Sequence, residues 1–214
     1  MPFNLYRKEA SGAGTEQRVT ESANLQWPSD WSRDGRLVLY SEVGKDTQQD
    51  QWVLPVTPDG KPEAGAKARP YLRTRFNEYS ARFSPEPSPR WVAYMSDESG
   101  RDEVYVQAFP EPRGKFQIST GGGMSPEWSP DGRELYYVSP DRKRMVAGLK
   151  VVADAVAAST PRELFALPSG GPFQPYAVAP DGKRFLVLTP VGGSQPLEVV
   201  VNWPALLKQA STGE

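Results

Sequence analysis

Trp128-Ser129-Pro130-Asp131-Gly132-Arg133-Glu134-Leu135-Tyr136-Tyr137-Val138 reads as the end of one strand, a tight turn and a second strand. Asp131-Gly132 supplies the turn, because Asp tolerates left-handed backbone geometry and Gly adopts it without steric cost. The run from Leu135 to Val138 is rich in β-formers on both faces. The stretch recurs. Trp31-Ser32-Arg33-Asp34-Gly35-Arg36 leads into Leu37 to Tyr40, and Phe83-Ser84-Pro85 leads through a longer turn into Arg90 to Tyr94. Val178-Ala179-Pro180-Asp181-Gly182-Lys183 leads into Arg184 to Val187. The opening positions 31, 83, 128 and 178 stand 52, 45 and 50 residues apart. One strand–turn–strand per unit of that length is the signature of a propeller or similar array, in which no unit can bury its apolar face alone.

The 214-residue chain is therefore expected to be all-β and a single domain, a β-propeller of four-stranded antiparallel blades with about four blades. Residues 1–27 read as outer strands of an incomplete blade, 28–79, 80–124 and 125–172 as full blades, and 173–214 as a last partial blade. That last unit is expected to carry a third strand over Leu197 to Asn202 and a short helical lock over Trp203 to Lys208. Glu103 to Phe109 alternates polar and apolar residues and reads as a half-buried strand. Asp154 to Ser159 reads as a loop or a short helical turn. Thr57-Pro58-Asp59-Gly60 copies the motif out of phase and reads as an ordinary hairpin turn. Two architectures suit the ends: a small closed ring in which the leading strands complete the trailing unit, or half of a larger propeller. The second leaves exposed edge strands that a second copy would cover, giving a homodimer. It is preferred because the sequence begins in mid-repeat.

Composition narrows the function classes. Lys and Arg number 25 against 26 Asp and Glu, so the basic footprint of a nucleic-acid binder is missing. No run of 18 apolar residues is present to span a membrane as a helix. Met1 to Tyr6 lacks the apolar core of a signal peptide, so no export signal is read and the location stays open. The chain contains no Cys and no His. That removes thiolate chemistry and zinc-thiolate sites, the commonest general base and any Ser-His-Asp triad.

The copies at Trp31, Phe83, Trp128 and Val178 resemble the PD40 (TolB-like, WD40-like) β-propeller repeat, an aromatic followed by Ser-Pro-Asp-Gly-Arg and a strand. Trp128 to Arg133 matches fully, Trp31 to Arg36 has Arg33 for Pro, and Val178 lacks the aromatic. Asn77-Glu78, the run Ser96 to Val106, Gly121-Gly122-Gly123 and Val200-Val201-Asn202-Trp203 are similar to the C-terminal propeller region of bacterial receptor-type serine/threonine kinases. None of the kinase signature motifs is present. The resemblance implies a scaffold that binds proteins or peptides, in a family often found outside the cytoplasm.

In a propeller the first strand of each blade lines the central channel. Immediately before the repeat aromatic stand Asp30, Arg82, Glu127 and Ala177, and five residues before it Gln26, Glu78, Gly123 and Phe173. The repeat thus carries Asp30, Glu78 and Glu127 towards one axis, and oxygen ligands from several strands suit a hard divalent cation such as Ca²⁺. A metal there would permit hydrolysis of esters, lactones or phosphotriesters without His. The plainer reading is that Asp30 and Glu127 pair with Arg82, leaving a non-catalytic interaction module. Arg82, Trp27 and Tyr176 are candidate ligand-lining residues, with Trp27 outside the repeat register. Trp31 and Trp128 are expected in the core between blades. Asp34, Asp131 and Asp181 are expected to serve turn chemistry. Gly121-Gly122-Gly123 is no phosphate loop, because no helix or Lys-Ser/Thr follows.

Overall fold

The computed structural model describes residues 2–152, 155–167 and 176–188, among which no helix occurs. β1 (Tyr6–Arg7) and β2 (Gln17–Arg18) form a short antiparallel pair. The first blade follows as β3 (Gln26–Trp31), β4 (Leu37–Val43), β5 (Gln49–Pro55) and β6 (Arg69–Leu72), hydrogen-bonded in that order. The second repeats the order with β7 (Glu78–Phe83), β8 (Trp91–Ser96), β9 (Glu103–Ala108) and β10 (Lys115–Gln117). The third has β11 (Met124–Trp128), β12 (Glu134–Val138), β13 (Lys143–Val152), β14 (Ala155–Ala158) and β15 (Arg162–Ala166). β16 (Tyr176–Val178) and β17 (Phe185–Val187) pair as the opening strands of a further unit. Successive four-stranded antiparallel meanders, each entered at its first strand, make the protein an all-β propeller. Among the described residues no ladder joins β1–β2 to β16–β17. The strand expected at Leu197 to Asn202, the lock at Trp203 to Lys208, and Phe173 lie outside the described residues.

The Asp-Gly turns have one construction. Gly132 N–H donates to Ser129 O at 2.9 Å, and Asp131 Oδ1 accepts from Ser129 Oγ at 2.7 Å and Arg133 N–H at 3.1 Å. Ser32, Asp34 and Gly35 reproduce it at 2.8, 2.7 and 3.0 Å. Gly35, Gly132 and Gly182 all have positive φ. Hydrogen bonds from the neighbouring Ser lead in holding the Asp34 and Asp131 carboxyls below their ordinary range, and one from Lys183 N–H leads at Asp181. These acids hold turns together. The out-of-phase copy at Thr57 to Gly60 is likewise a hairpin turn, closed by Gly60 N–H on Thr57 O at 2.7 Å.

Two hydrophobic seams hold the blades. Leu39, Val53 and Tyr71 of the first blade meet Phe83, Tyr94 and Tyr105 of the second. Trp91, Val104 and Val106 of the second meet Leu135, Tyr137 and Ala147 of the third. Alternate residues of β8 and β9 therefore enter opposite seams. This overturns the expectation of a half-buried β9: Glu103 through Gln107 are all buried, because the second blade is covered on both faces. Its polar residues are bonded, as the rule for buried polar groups requires. Tyr94 OH donates to Gln107 Oε1 at 2.9 Å, and Glu103 accepts from Gly122 N–H at 2.9 Å and from Ser119 Oγ. On the far face of the first blade, Leu5 beside β1 packs on Tyr40, Leu54 and Val56.

The alanine-rich stretch after Val152 also departs from expectation. Ala155 to Ala158 pair with Leu149 to Val152 as a strand; Asp154 lies outside the described residues. β13 runs ten residues, past the end of its pairing with β12 at Gly148, and folding back supplies partners for its exposed backbone.

The crossing from the second blade to the third turns on Gly122, whose φ is +92° and whose missing Cβ would collide with the Pro140 ring. Left-handed strain costs about 1–2 kcal/mol and overpacking about 1–3 kcal/mol. Urea unfolding of Gly122→Ala is therefore expected to show a loss of about 2–4 kcal/mol. Gly65, with φ +76° and open space around it, supplies the comparison, where Ala should cost only the strain.

Candidate functional site

Each blade's first strand carries a bulge, between Pro28 and Asp30, between Tyr79 and Arg82, and between Met124 and Glu127. Ser80 and Ser125 sit in the bulges with φ of 52° and 55°. A bulge inserts one residue and re-aims the next. Here the re-aimed residues are Asp30, Arg82 and Glu127, and they meet at a cleft of about 650 Å³. The rim comes from the turns that follow, with Arg33, Pro85, Pro130 and Pro180.

Arg82 joins the blades. Its Nε donates to Glu127 Oε1 at 2.8 Å, and Nη1 donates to Ser29 O of the first blade. Asp30 Oδ2 accepts from Phe83 N–H at 2.8 Å and Oδ1 from Trp31 N–H at 2.8 Å, so its carboxylate bridges the first two blades. Trp128 Nε1 donates back to Arg82 O at 3.2 Å. Burial pushes the Asp30 carboxyl upwards, against the pull of two backbone N–H groups and Arg82. The pair geometry keeps Arg82 charged: desolvation is its largest single influence, and the nearby Glu127 and Asp30 together outweigh it and raise its pKa.

Tyr176 enters the same cleft from β16, its OH donating to Ser125 O at 2.9 Å. Beneath its ring lies Arg144, fully buried, with the guanidinium 3.0 Å from the ring centroid. Arg144 Nε and Nη1 have no hydrogen-bond partner, and burial lowers its pKa. Sequence reasoning passed Arg144 over. The available signal was its phase: Arg144 ends the basic run Arg142-Lys143-Arg144 and stands two residues before Val146, on the same face of the strand.

Of the candidate residues, Asp30, Arg82, Glu127 and Tyr176 come together. Glu78 and Trp27 do not line the cleft. Glu78 lies four residues before Arg82, on the order of 13 Å along an extended strand, at the other end of the seam. There it is buried, accepts from Thr74 Oγ1, and leaves Oε2 without a partner. Burial raises its pKa to about 7, and Asp50 nearby adds to the rise. Among the described residues no group of three or more His, Cys, Asp or Glu side chains could hold a metal ion. Asp30 spends both oxygens on N–H donors and Glu127 faces a guanidinium, so this donor set does not fit a cation. Trp27 is 39% exposed, paired in register with Ser41. Trp31, expected in the core, is 45% exposed on the rim, whereas Phe83 at the same repeat position is 5% exposed. The difference is geometric: the Trp31 indole lies over Gly60 of its own blade, outside the seam. Trp128 is half-buried and packs on the second seam.

No known family model matches the sequence, and no curated protein does. Solved structures do match. TolB from Acinetobacter baumannii aligns with a TM-score of 0.57 at 17% identity, over 88% of this chain and 43% of that one. A protein described as a TolB from Agrobacterium tumefaciens gives 0.52 at 18% identity, over 72% and 55%. A protein described as a 6-phosphogluconolactonase from Bacteroides uniformis gives 0.57 at 15%, over 85% and 56%. The chain thus spans about half the length of the structures it matches. At these identities the likeness establishes the fold alone, the β-propeller that these TolB and lactonase-described structures share.

Proposed function

We propose that the protein is a non-catalytic interaction module whose cleft around Asp30, Arg82 and Glu127 binds a protein or peptide. The observation that carries this reading is the cleft itself, about 650 Å³ and rimmed by Trp31 and turn prolines, with Arg82 paired to Glu127 and Asp30 held by two backbone N–H groups. A general base or nucleophile needs a free, tuned group; the chain has no His or Cys, and among the described residues the cleft's carboxylates, Asp30 and Glu127, are already bonded. Concave sites of this size with aromatic rims and a few polar groups suit recognition. The TolB-like fold is consistent with such use, and the resemblance of the runs Ser96 to Val106 and Gly121 to Gly123 to the propeller regions of bacterial receptor-type kinases supports the same reading.

Self-assembly belongs to the same reading. β1–β2 would supply outer strands and β16–β17 inner strands of one blade, so head-to-tail pairing of two copies would complete it. Light scattering on the purified protein should give twice the chain mass; a monomer at all concentrations removes the dimer.

The recognition claim is tested by panning a randomised 12-residue peptide library and titrating enriched peptides by calorimetry. Micromolar binding that Trp31→Ala weakens at least fivefold supports it. The hydrolase reading ranks second and is tested on the same preparation with p-nitrophenyl acetate, a γ-lactone and paraoxon, with and without Ca²⁺. Turnover abolished by EDTA, with no peptide enriched, replaces the interaction module by the hydrolase.

A further inference from the structure

The rim of the cleft is built by a repeated contact. A Cβ placed on Gly132 would lie 3.2 Å from Pro85 Cγ, and one on Gly182 would lie 3.4 Å from Pro130 Cδ. Each turn proline therefore sits against the turn glycine of the next blade. Between the first and second blades both members of that contact are replaced. Arg33 stands where the other units have Pro85, Pro130 and Pro180, and the facing turn, Glu86-Pro87-Ser88-Pro89, has no glycine. Both departures from the repeat thus fall on one seam, and Arg33 lines the cleft.

The charges around the cleft single out the same residue. Arg82 and Glu127 are paired at 2.8 Å, and Asp30 has two N–H donors. Arg33 is exposed, and among the described residues it makes no hydrogen bond or ion pair. It is the one lining charge left without a partner there. Trp31, two residues before it, also lines the cleft and is 45% exposed, with the edge of its indole seated over Gly60. A planar guanidinium takes a carboxylate through two parallel N–H bonds, and an exposed indole offers a large rigid surface for the adjoining residue.

We infer that this seam is a subsite for an acidic peptide segment. Arg33 takes an Asp or Glu carboxylate of the partner, and Trp31 carries the apolar side chain next to it. The inference rests on the interaction-module reading and names the partner's chemistry. Among the described residues the other seams, closed by proline on glycine, add no unpartnered charge to the cleft lining, so the acidic residue of the ligand is registered over the first two blades.

The experiment uses peptides enriched from the randomised 12-residue library on the wild-type chain, resynthesised acetylated and amidated, each beside a version with Glu and Asp changed to Gln and Asn. They are titrated against wild type, Arg33→Pro and Arg33→Glu. Arg33→Pro restores the residue the other units carry, and both variants are first shown to unfold at the wild-type urea midpoint. Expected are enrichment of Asp and Glu, a loss of about threefold to Arg33→Pro and about tenfold to Arg33→Glu, and no loss to either variant for the Gln/Asn peptides. Exchange of 50 mM for 300 mM NaCl should weaken only the acidic peptides, as screening requires. Enriched peptides that bind wild type and Arg33→Glu alike overturn the subsite and leave the interaction module standing. Peptides displaced completely by 10 mM inorganic phosphate show an anion site without peptide selectivity, which also overturns it. If no peptide is enriched, both fall.

Discussion

Replacing Glu78 by Gln is expected to stabilise the fold at pH 8 and to change little at pH 5. The Glu78 side chain is 2% exposed, with one oxygen bonded by Thr74 and the other without a partner. Burial raises the folded pKa to about 7 from an ordinary 4.5, with Asp50 opposing the charge and Lys115 favouring it. The folded state therefore prefers the protonated acid. Its contribution is fully present below pH 4.5 and is lost as pH rises through 7, by which point the loss is on the order of 3 kcal/mol. Gln keeps the neutral shape at every pH. Urea unfolding should give the variant a gain of about 1–3 kcal/mol at pH 8 that fades towards pH 5. An equal gain at both values would show that ionisation of Glu78 is not the cause.

Leu135→Ala is expected to be the most damaging core substitution of those considered. Leu135 is 0% exposed near the start of β12 and sits in the second seam with Trp91, Val104 and Val106. Removing a buried leucine to Cβ costs about 2–5 kcal/mol, the spread reflecting how far the cavity collapses. In a chain of this size each kcal/mol moves the melting midpoint by about 2–4 °C. A fall of about 10 °C is therefore expected in a thermal melt followed by circular dichroism. Leu186→Ala, at a position 75% exposed, should move it by less than about 2 °C.

Much of this was legible in the residues. Aromatic-Ser-Pro-Asp-Gly specifies its turn locally, through one serine hydroxyl, one carboxylate and one positive φ, so no distant contact can change the reading. The spacing of the copies then dictates blades. Burial was less legible. The alternation of Glu103 to Gln107 is that of a strand with one wet face, but a blade between two blades has none, and hydrogen bonding rather than solvent satisfies Glu103 and Gln107. The repeat register likewise assigned Trp31 to the core, because it cannot see that Gly60 leaves a seat for the indole elsewhere. Asp30, Arg82 and Glu127 were correctly placed side by side by phase alone. Glu78 was not brought with them, since four residues of extended strand carry it to the other end of the seam. In the sequence Arg33 is only an imperfect match to the repeat, because its freedom from partners depends on the facing turn of the next blade.

The bulges in β3, β7 and β11 have a wider meaning for how such a chain can change. The extra residue breaks the strict in-and-out alternation at the point where the strand passes the axis. Upstream and downstream residues answer to the seams, and the re-aimed one turns its side chain to the cleft, where it also bonds to a neighbouring blade. Aspartate, arginine and glutamate occupy that position in three successive blades without disturbing the apolar residues around them. The lining is thus a set of letters on a fixed frame, and because Asp30, Arg82 and Glu127 each bond to another blade, new specificity is written there in partnered changes.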